Sequence, residues 1–128
     1  MRLQTRTVYV IDDDESVRTG LEKLLRSERF NVETFPSIYQ FLAGDRKEYR
    51  ACILVDIATR SLELLNLYLL SNRRKVPVIV LSASDDPLTR RAARELGAVS
   101  SFSKPVDNQA LLDAITSAIE GVRLQSKE

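Results

Sequence analysis

In the stretch Val8-Tyr9-Val10-Ile11-Asp12-Asp13-Asp14-Glu15, four apolar residues run directly into four acids. Carboxylates about 4 Å apart repel by roughly 4 kcal/mol at an effective dielectric near 20. Such a cluster raises its own pKa values unless a cation or hydrogen-bond donors hold it ionised. Asp56 likewise closes an apolar run, Cys52-Ile53-Leu54-Val55. An aspartate there is hard to explain as surface decoration, so it is a candidate functional group. Ser82 after the run Val78–Leu81, and the pair Lys104-Pro105, are by themselves ordinary turn and loop signals.

The rest of the composition narrows the chemistry. The 128 residues include no histidine and one cysteine. That removes most zinc, haem, Cys-His and Ser-His schemes, and any metal must be hard and oxygen-ligated. Lys and Arg total 19 against 18 Asp and Glu, a net charge of +1. A balance so close to neutral argues against direct nucleic-acid binding. Cys52 has no cysteine partner and lies in an apolar run, which reads as core packing. The apolar run after Met1–Arg6 is too short for a signal peptide or a membrane span, so a cytoplasmic protein is expected. The basic clusters Arg73-Arg74-Lys75 and Arg90-Arg91…Arg94 read as solvated helix faces.

The elements that must position these residues follow from periodicity. Thr7–Ile11, Asn31–Phe35, Cys52–Val55, Pro77–Leu81 and Val99–Phe102 read as strands. Helices are expected over Val17–Arg26, from Ser37 as N-cap to Gly44, over Leu62–Leu70, over Leu88–Leu96 behind an Asp86-Pro87 start, and over Gln109–Glu120 behind Asp107. Gly97 and Gly121 are the expected stops of the last two. Residues 1–121 then form one domain, with 122–128 a polar tail or the start of a linker.

Five β-α units in succession imply an α/β fold, a five-stranded parallel sheet with helices on both faces. Right-handed crossovers bring every strand's C-terminal end to one edge, where ligands of such sheets bind. That edge collects Asp12, Asp13, Asp56, Ser82 and Lys104. The first β-α turn has no GxGxxG or GxxxxGK, and its carboxylates would repel a phosphate that backbone amides would cradle. A dinucleotide site is disfavoured. Carboxylates that recruit Mg²⁺, which keeps waters and bridges to phosphate, fit better. Asp14 and Glu15 are expected simply to start a helix, favoured by its macrodipole.

The element order, with Asp12-Asp13, Asp56, Ser82-Ala83 and Lys104-Pro105, resembles the receiver domain of bacterial two-component response regulators across roughly residues 5–121. Val8–Leu21 and the Gly97-Ala98…Lys104-Pro105 spacing are most similar to receivers that precede helix-turn-helix output domains. The resemblance implies the flavodoxin-like strand order 2-1-3-4-5, which belongs to the family and is not read from this sequence. It implies a signalling module, not an enzyme, in which Asp56 accepts a phosphoryl group from a histidine kinase or phosphotransfer protein. Asp13, Asp56 and the backbone carbonyl of Ala58 would hold Mg²⁺, with Asp12 acting through water. Lys104 and Ser82 would contact phosphoryl oxygens. A homodimer through the face of helix four, strand five and helix five would be a further property.

Two departures from the family stand out. The loop after Asp56, Ile57-Ala58-Thr59-Arg60-Ser61, is shorter than usual and lacks the common Met-Pro pair and glycine. In strand five the usual switch aromatic is replaced by Ser101, and Phe102, one residue later, is expected to face the core. A pseudo-receiver, with the same fold but acting as a phosphorylation-independent interaction module, is the alternative. A haloacid-dehalogenase-like phosphatase is disfavoured because it requires a second Asp where Ala58 stands.

Overall fold

The computed structural model describes residues 6–44, 50–71, 76–84 and 86–126, with the side chains of 122–126 excepted. Five strands, β1 (Thr7–Ile11), β2 (Asn31–Phe35), β3 (Ala51–Asp56), β4 (Val78–Ser82) and β5 (Ser100–Ser103), form one sheet. Every pairing is parallel, in the order β2-β1-β3-β4-β5. The helices are α1 (Glu15–Ser27), α2 (Ile38–Leu42), α3 (Leu62–Ser71), α4 (Pro87–Glu95) and α5 (Asn108–Ser126). The expected fold class and strand order are those observed.

Alternation along the strands divides the core in two. Val8, Val10, Cys52, Leu54, Ile79 and Leu81 pack on one face with Leu25 of α1 and with Leu111, Ile115 and Ile119 of α5. The residues between them, Tyr9, Ile11, Ile53, Val55, Val78 and Val80, meet Ile38 and Phe41 of α2, Leu65 of α3 and Ala93 of α4 on the other. Both faces being covered explains why β1, β3 and β4 read as continuous apolar runs. The thiol of Cys52 is fully buried, and desolvation pushes its pKa up to about 12.

Helix boundaries follow their caps. Asp14 caps α1 by accepting from the backbone N–H groups of Ser16 at 2.9 Å and Val17 at 3.2 Å. The helix therefore starts at Glu15 rather than Val17, and Asp14 and Glu15 have the expected role. Ser37 accepts from Gln40 N–H at 3.2 Å and Asp86 from Thr89 N–H at 2.8 Å, as their types suggest. Gly97 adopts φ 72°, the left-handed conformation that closes α4. Gly121 does not end α5, which continues to Ser126. A glycine inside a helix costs about 1 kcal/mol relative to alanine, too little to stop a helix already nucleated. Pro77 falls just outside β4 because it has no N–H to donate, although its carbonyl accepts from Ile53 N–H at 2.9 Å. The cluster Arg73-Arg74-Lys75 lies outside the described residues.

Helix α2 spans only five residues and cannot be stable by itself. It is held by Phe41, which makes edge-to-face contacts with Tyr9, Phe35 and Tyr68 at centroid distances of 5.6, 5.5 and 5.4 Å. Phe41→Ala is expected to lower unfolding free energy by about 3–5 kcal/mol, the cost of deleting a buried aromatic. Urea denaturation of the variant checks this, and a loss under 1 kcal/mol would contradict the packing described.

Candidate functional site

Strand register assembles the site. Ile11 pairs with Val55, so the next residues, Asp12 and Asp56, leave two adjacent strands side by side. Adjacent strands are about 4.8 Å apart. Asp56 pairs with Leu81, which puts Ser82 one step further along β4, and Ser82 pairs with Ser103, just before Lys104. Four of the expected site residues thus stand at the C-terminal ends of β1, β3, β4 and β5.

Asp12 and Asp56 are 2% and 8% exposed, an arrangement that demands a cation. Lys104 supplies one. Its Nζ donates to Asp12 Oδ2 at 3.2 Å and makes a short contact with Asp56 Oδ2. Backbone dipoles complete the neutralisation: Asp14 N–H donates to Asp12 Oδ1 at 2.9 Å, and Ala58 N–H to Asp56 Oδ1 at 2.7 Å. Burial still dominates at Asp12 and holds its pKa above the usual carboxylate value, against the opposing Asp14 N–H and Lys104 charge. For Lys104, burial pulls the pKa down, but the hydrogen bond to Asp56 and the two carboxylate charges outweigh it and raise it.

Asp13 is solvent-exposed one residue beyond Asp12. Among the described residues no group of three or more acidic, histidine or cysteine side chains is gathered as a metal cluster. Mg²⁺ requires only one or two carboxylates together with waters, so the donor set of acids and carbonyls remains compatible with it. Ser82 is buried, but its hydroxyl donates to the carbonyl of Ser84 in its own loop rather than to the acidic pair.

The short loop after Asp56 is accommodated by two devices. Thr59 N–H donates to Asp56 carbonyl at 3.0 Å, closing a tight turn, and Ser61 takes φ 67° before α3 begins. A serine in that conformation is uncommon and strained. Its hydroxyl donates to the Tyr39 hydroxyl at 3.3 Å, tying the loop to α2. The turn leaves the Thr59 hydroxyl buried without a hydrogen-bond partner among the described residues.

Sequence reasoning missed Arg18, whose Nη1 donates to the Asp12 carbonyl at 2.6 Å. The signal was present, since Arg18 lies one turn after the Asp14 cap and its N–H donates to the Asp14 carbonyl at 3.0 Å. On β5, Ser101 is exposed and Phe102 packs against the α1/α5 core, as alternation requires.

A family model described as the response regulator receiver domain matches residues 8–116. The transcriptional regulatory protein TdiR of Thauera aromatica is 37% identical over 115 residues, covering 88% of this chain and 51% of its own length. The transcriptional regulatory protein FixJ of Azorhizobium caulinodans is 32% identical over 114 residues, covering 88% and 54%. The chain spans about half the length of the curated relatives it matches. The solved structure of the response regulator StyR superposes with a TM-score of 0.82 at 36% identity, covering 96% of this chain and 63% of that one. A CheY-like receiver from Methanospirillum hungatei gives 0.83 at 21% identity, a likeness of fold. Sheet order, an acidic pair bridged by a lysine and this family match lead to one conclusion: the chain belongs to the response regulator receiver domains of two-component systems.

Proposed function

We propose that Asp56 is the phosphoacceptor of this receiver, taking a phosphoryl group from a phosphohistidine on a histidine kinase or phosphotransfer protein. The observation that carries the reading is the Lys104 Nζ bridge between Asp56 and the neighbouring Asp12. A carboxylate is a weak nucleophile, so positioning and charge neutralisation must supply the catalysis. An Asp56 carboxylate oxygen attacks phosphorus, the donor's N–P bond breaks, and its electron pair returns to the imidazole nitrogen. Lys104 offsets charge on the phosphoryl oxygens, and Ala58 N–H keeps the carboxylate oriented. Ser82 would hydrogen-bond a phosphoryl oxygen after leaving Ser84.

Asp13, Asp56 and the Ala58 carbonyl would hold Mg²⁺, with Asp12 reaching it through water. When bound, the ion would neutralise the phosphoryl oxygens during transfer. A fit is supported by the hard oxygen donors and by the burial of two acids, Asp12 and Asp56, on adjacent strand ends. The reading implies a cytoplasmic location beside the kinase. Among the described residues no helix is long and apolar enough to cross a membrane. The relatives named as transcriptional regulators suggest that DNA is reached through an output domain and not through this one.

Incubation with acetyl phosphate and Mg²⁺ is expected to add one phosphoryl group, read by intact mass, and Asp56→Asn to abolish the gain. No gain, with no beryllofluoride binding either, would leave the chain a pseudo-receiver.

Asp12 yields a pH-dependent prediction in the absence of divalent cations. Its folded pKa lies above the ordinary 3.8, so the folded state holds this proton more tightly than the unfolded one. Stability is therefore lost as pH rises through that window and stays lost above it. Asp12→Asn is expected to raise the urea midpoint at pH 7, and the gain is expected to vanish as pH falls toward 3.8. A variant less stable than the parent at pH 7 would contradict this.

A homodimer through α4, β5 and α5, with Arg90, Arg91 and Arg94 facing acids near α5, is expected to tighten on phosphorylation. Allosteric couplings of 1–3 kcal/mol are typical, so a change of roughly ten-fold in dimer affinity is expected by analytical ultracentrifugation with beryllofluoride. Equal affinity in both states would remove the dimer from the signalling route.

A further inference from the structure

The first residues of β4 and β5 lie at the end of the sheet opposite Asp56, and a groove of about 820 Å³ opens there. It runs from α3, on one face of the sheet, past Val78 and Ser100, to α5 on the other. Clefts that take small organic ligands measure about 300–1,000 Å³. The apolar lining comes from Leu69 and Leu70 of α3, from Val76 and Leu96, and from Val99 ahead of β5. Leu70 is 76% exposed and Val99 57%, both large apolar side chains left open to solvent. Apolar residues scattered singly over a surface need no explanation, but these two come from different elements and line one groove.

The polar groups of the lining decide what can enter. Both acids are engaged: Glu95 pairs with Arg91 at 3.4 Å, and Asp113 Oδ1 accepts from the Gln109 amide at 2.9 Å. The guanidinium of Arg94, in the last turn of α4, has no hydrogen bond or ion pair among the described residues. The side chains of Asn66, Ser100 and Ser117 are likewise uncommitted among the described residues. A guanidinium donates N–H groups and accepts none, so its ligand must be an acceptor. A carboxylate meets it bidentately, whereas a cationic head would find only acids that already have partners.

We propose that this groove binds an amphipathic carboxylate, its acyl chain lying along Leu69, Leu70, Val76, Leu96 and Val99 and its head on Arg94. The bound chain bridges α3 and α5, two helices that pack on opposite cores. The site is separate from the Asp56 end of the sheet and does not depend on the phosphoacceptor reading.

Titration of the full chain with decanoate below its micelle concentration, followed by calorimetry and amide NMR, tests the site. A single saturable site is expected, with shifts centred on Leu70, Val99 and Ser117. Decyltrimethylammonium has the same chain and the opposite head, and is expected to bind about ten-fold more weakly or not at all. Arg94→Gln is expected to weaken decanoate about ten-fold, the low end for a hydrogen bond to a charged group. Leu70→Ser, at an exposed position, is expected to weaken it several-fold through lost apolar contact. Ser117→Phe, also at an exposed position, fills the groove and is expected to abolish binding. Leu88→Ser removes a leucine 77% exposed but outside the lining, and is expected to leave binding unchanged. Amide spectra that match the parent away from each substitution separate lost binding from lost fold. Absence of saturable decanoate binding overturns the site. Equal affinity for the two heads, an unchanged Arg94→Gln, or equal losses in Leu70→Ser and Leu88→Ser would each show general detergent behaviour and overturn it too.

Discussion

Two aspartates leaving adjacent parallel strands side by side are the constraint that organises this end of the molecule. The register between β1 and β3 allows no other placement of Asp12 and Asp56. Two buried like charges on neighbouring strands would push each other toward protonation. The cation that opposes this comes from beyond β4, because β5 ends where Lys104 can reach both carboxylates. The remaining oxygens are met by N–H groups of Asp14 and Ala58, which makes the first β-α turn and the short loop after β3 parts of one electrostatic unit.

Much of this was legible in the sequence because it depends on period and on local caps. The strand runs, the Asp14, Ser37, Asp86 and Asp107 caps, and the separation of Asp12 from Asp14 in role are all decided within a few residues. The inward direction of Phe102 needed only alternation. What was not legible depends on tertiary choices. The Ser82 hydroxyl has two classes of acceptor within reach of a strand end, and no local rule selects the Ser84 carbonyl. Gly121 looks like a stop, yet a helix already anchored by Leu111, Ile115 and Ile119 passes through it. Arg18 reaches Asp12 only because the Asp14 cap sets the entry angle of α1.

The five-residue loop between Asp56 and α3 closes on itself while its Ala58 N–H holds the Asp56 carboxylate. A tight turn brings Thr59 N–H to the Asp56 carbonyl, and Ser61 in a left-handed conformation redirects the chain into α3. The cost falls on Thr59, whose hydroxyl is buried without a hydrogen-bond partner among the described residues, and on the strained Ser61. Buried unpaired hydroxyls cost about 1–3 kcal/mol, so this loop is retained at some expense to stability. Local strain of that kind is characteristic of segments that serve a site.

Cys52 is the second residue of β3, the central strand, with no exposed surface, and desolvation raises its thiol to about 12. A thiol attacks reagents only as the thiolate, so the folded chain is inert to alkylation and to mild oxidants. Because β3 is covered on both faces, no fraying of an edge uncovers that sulfur. Its labelling rate would follow the opening of the whole sheet. The one cysteine is in effect a clock for global unfolding, placed on the central strand of the sheet.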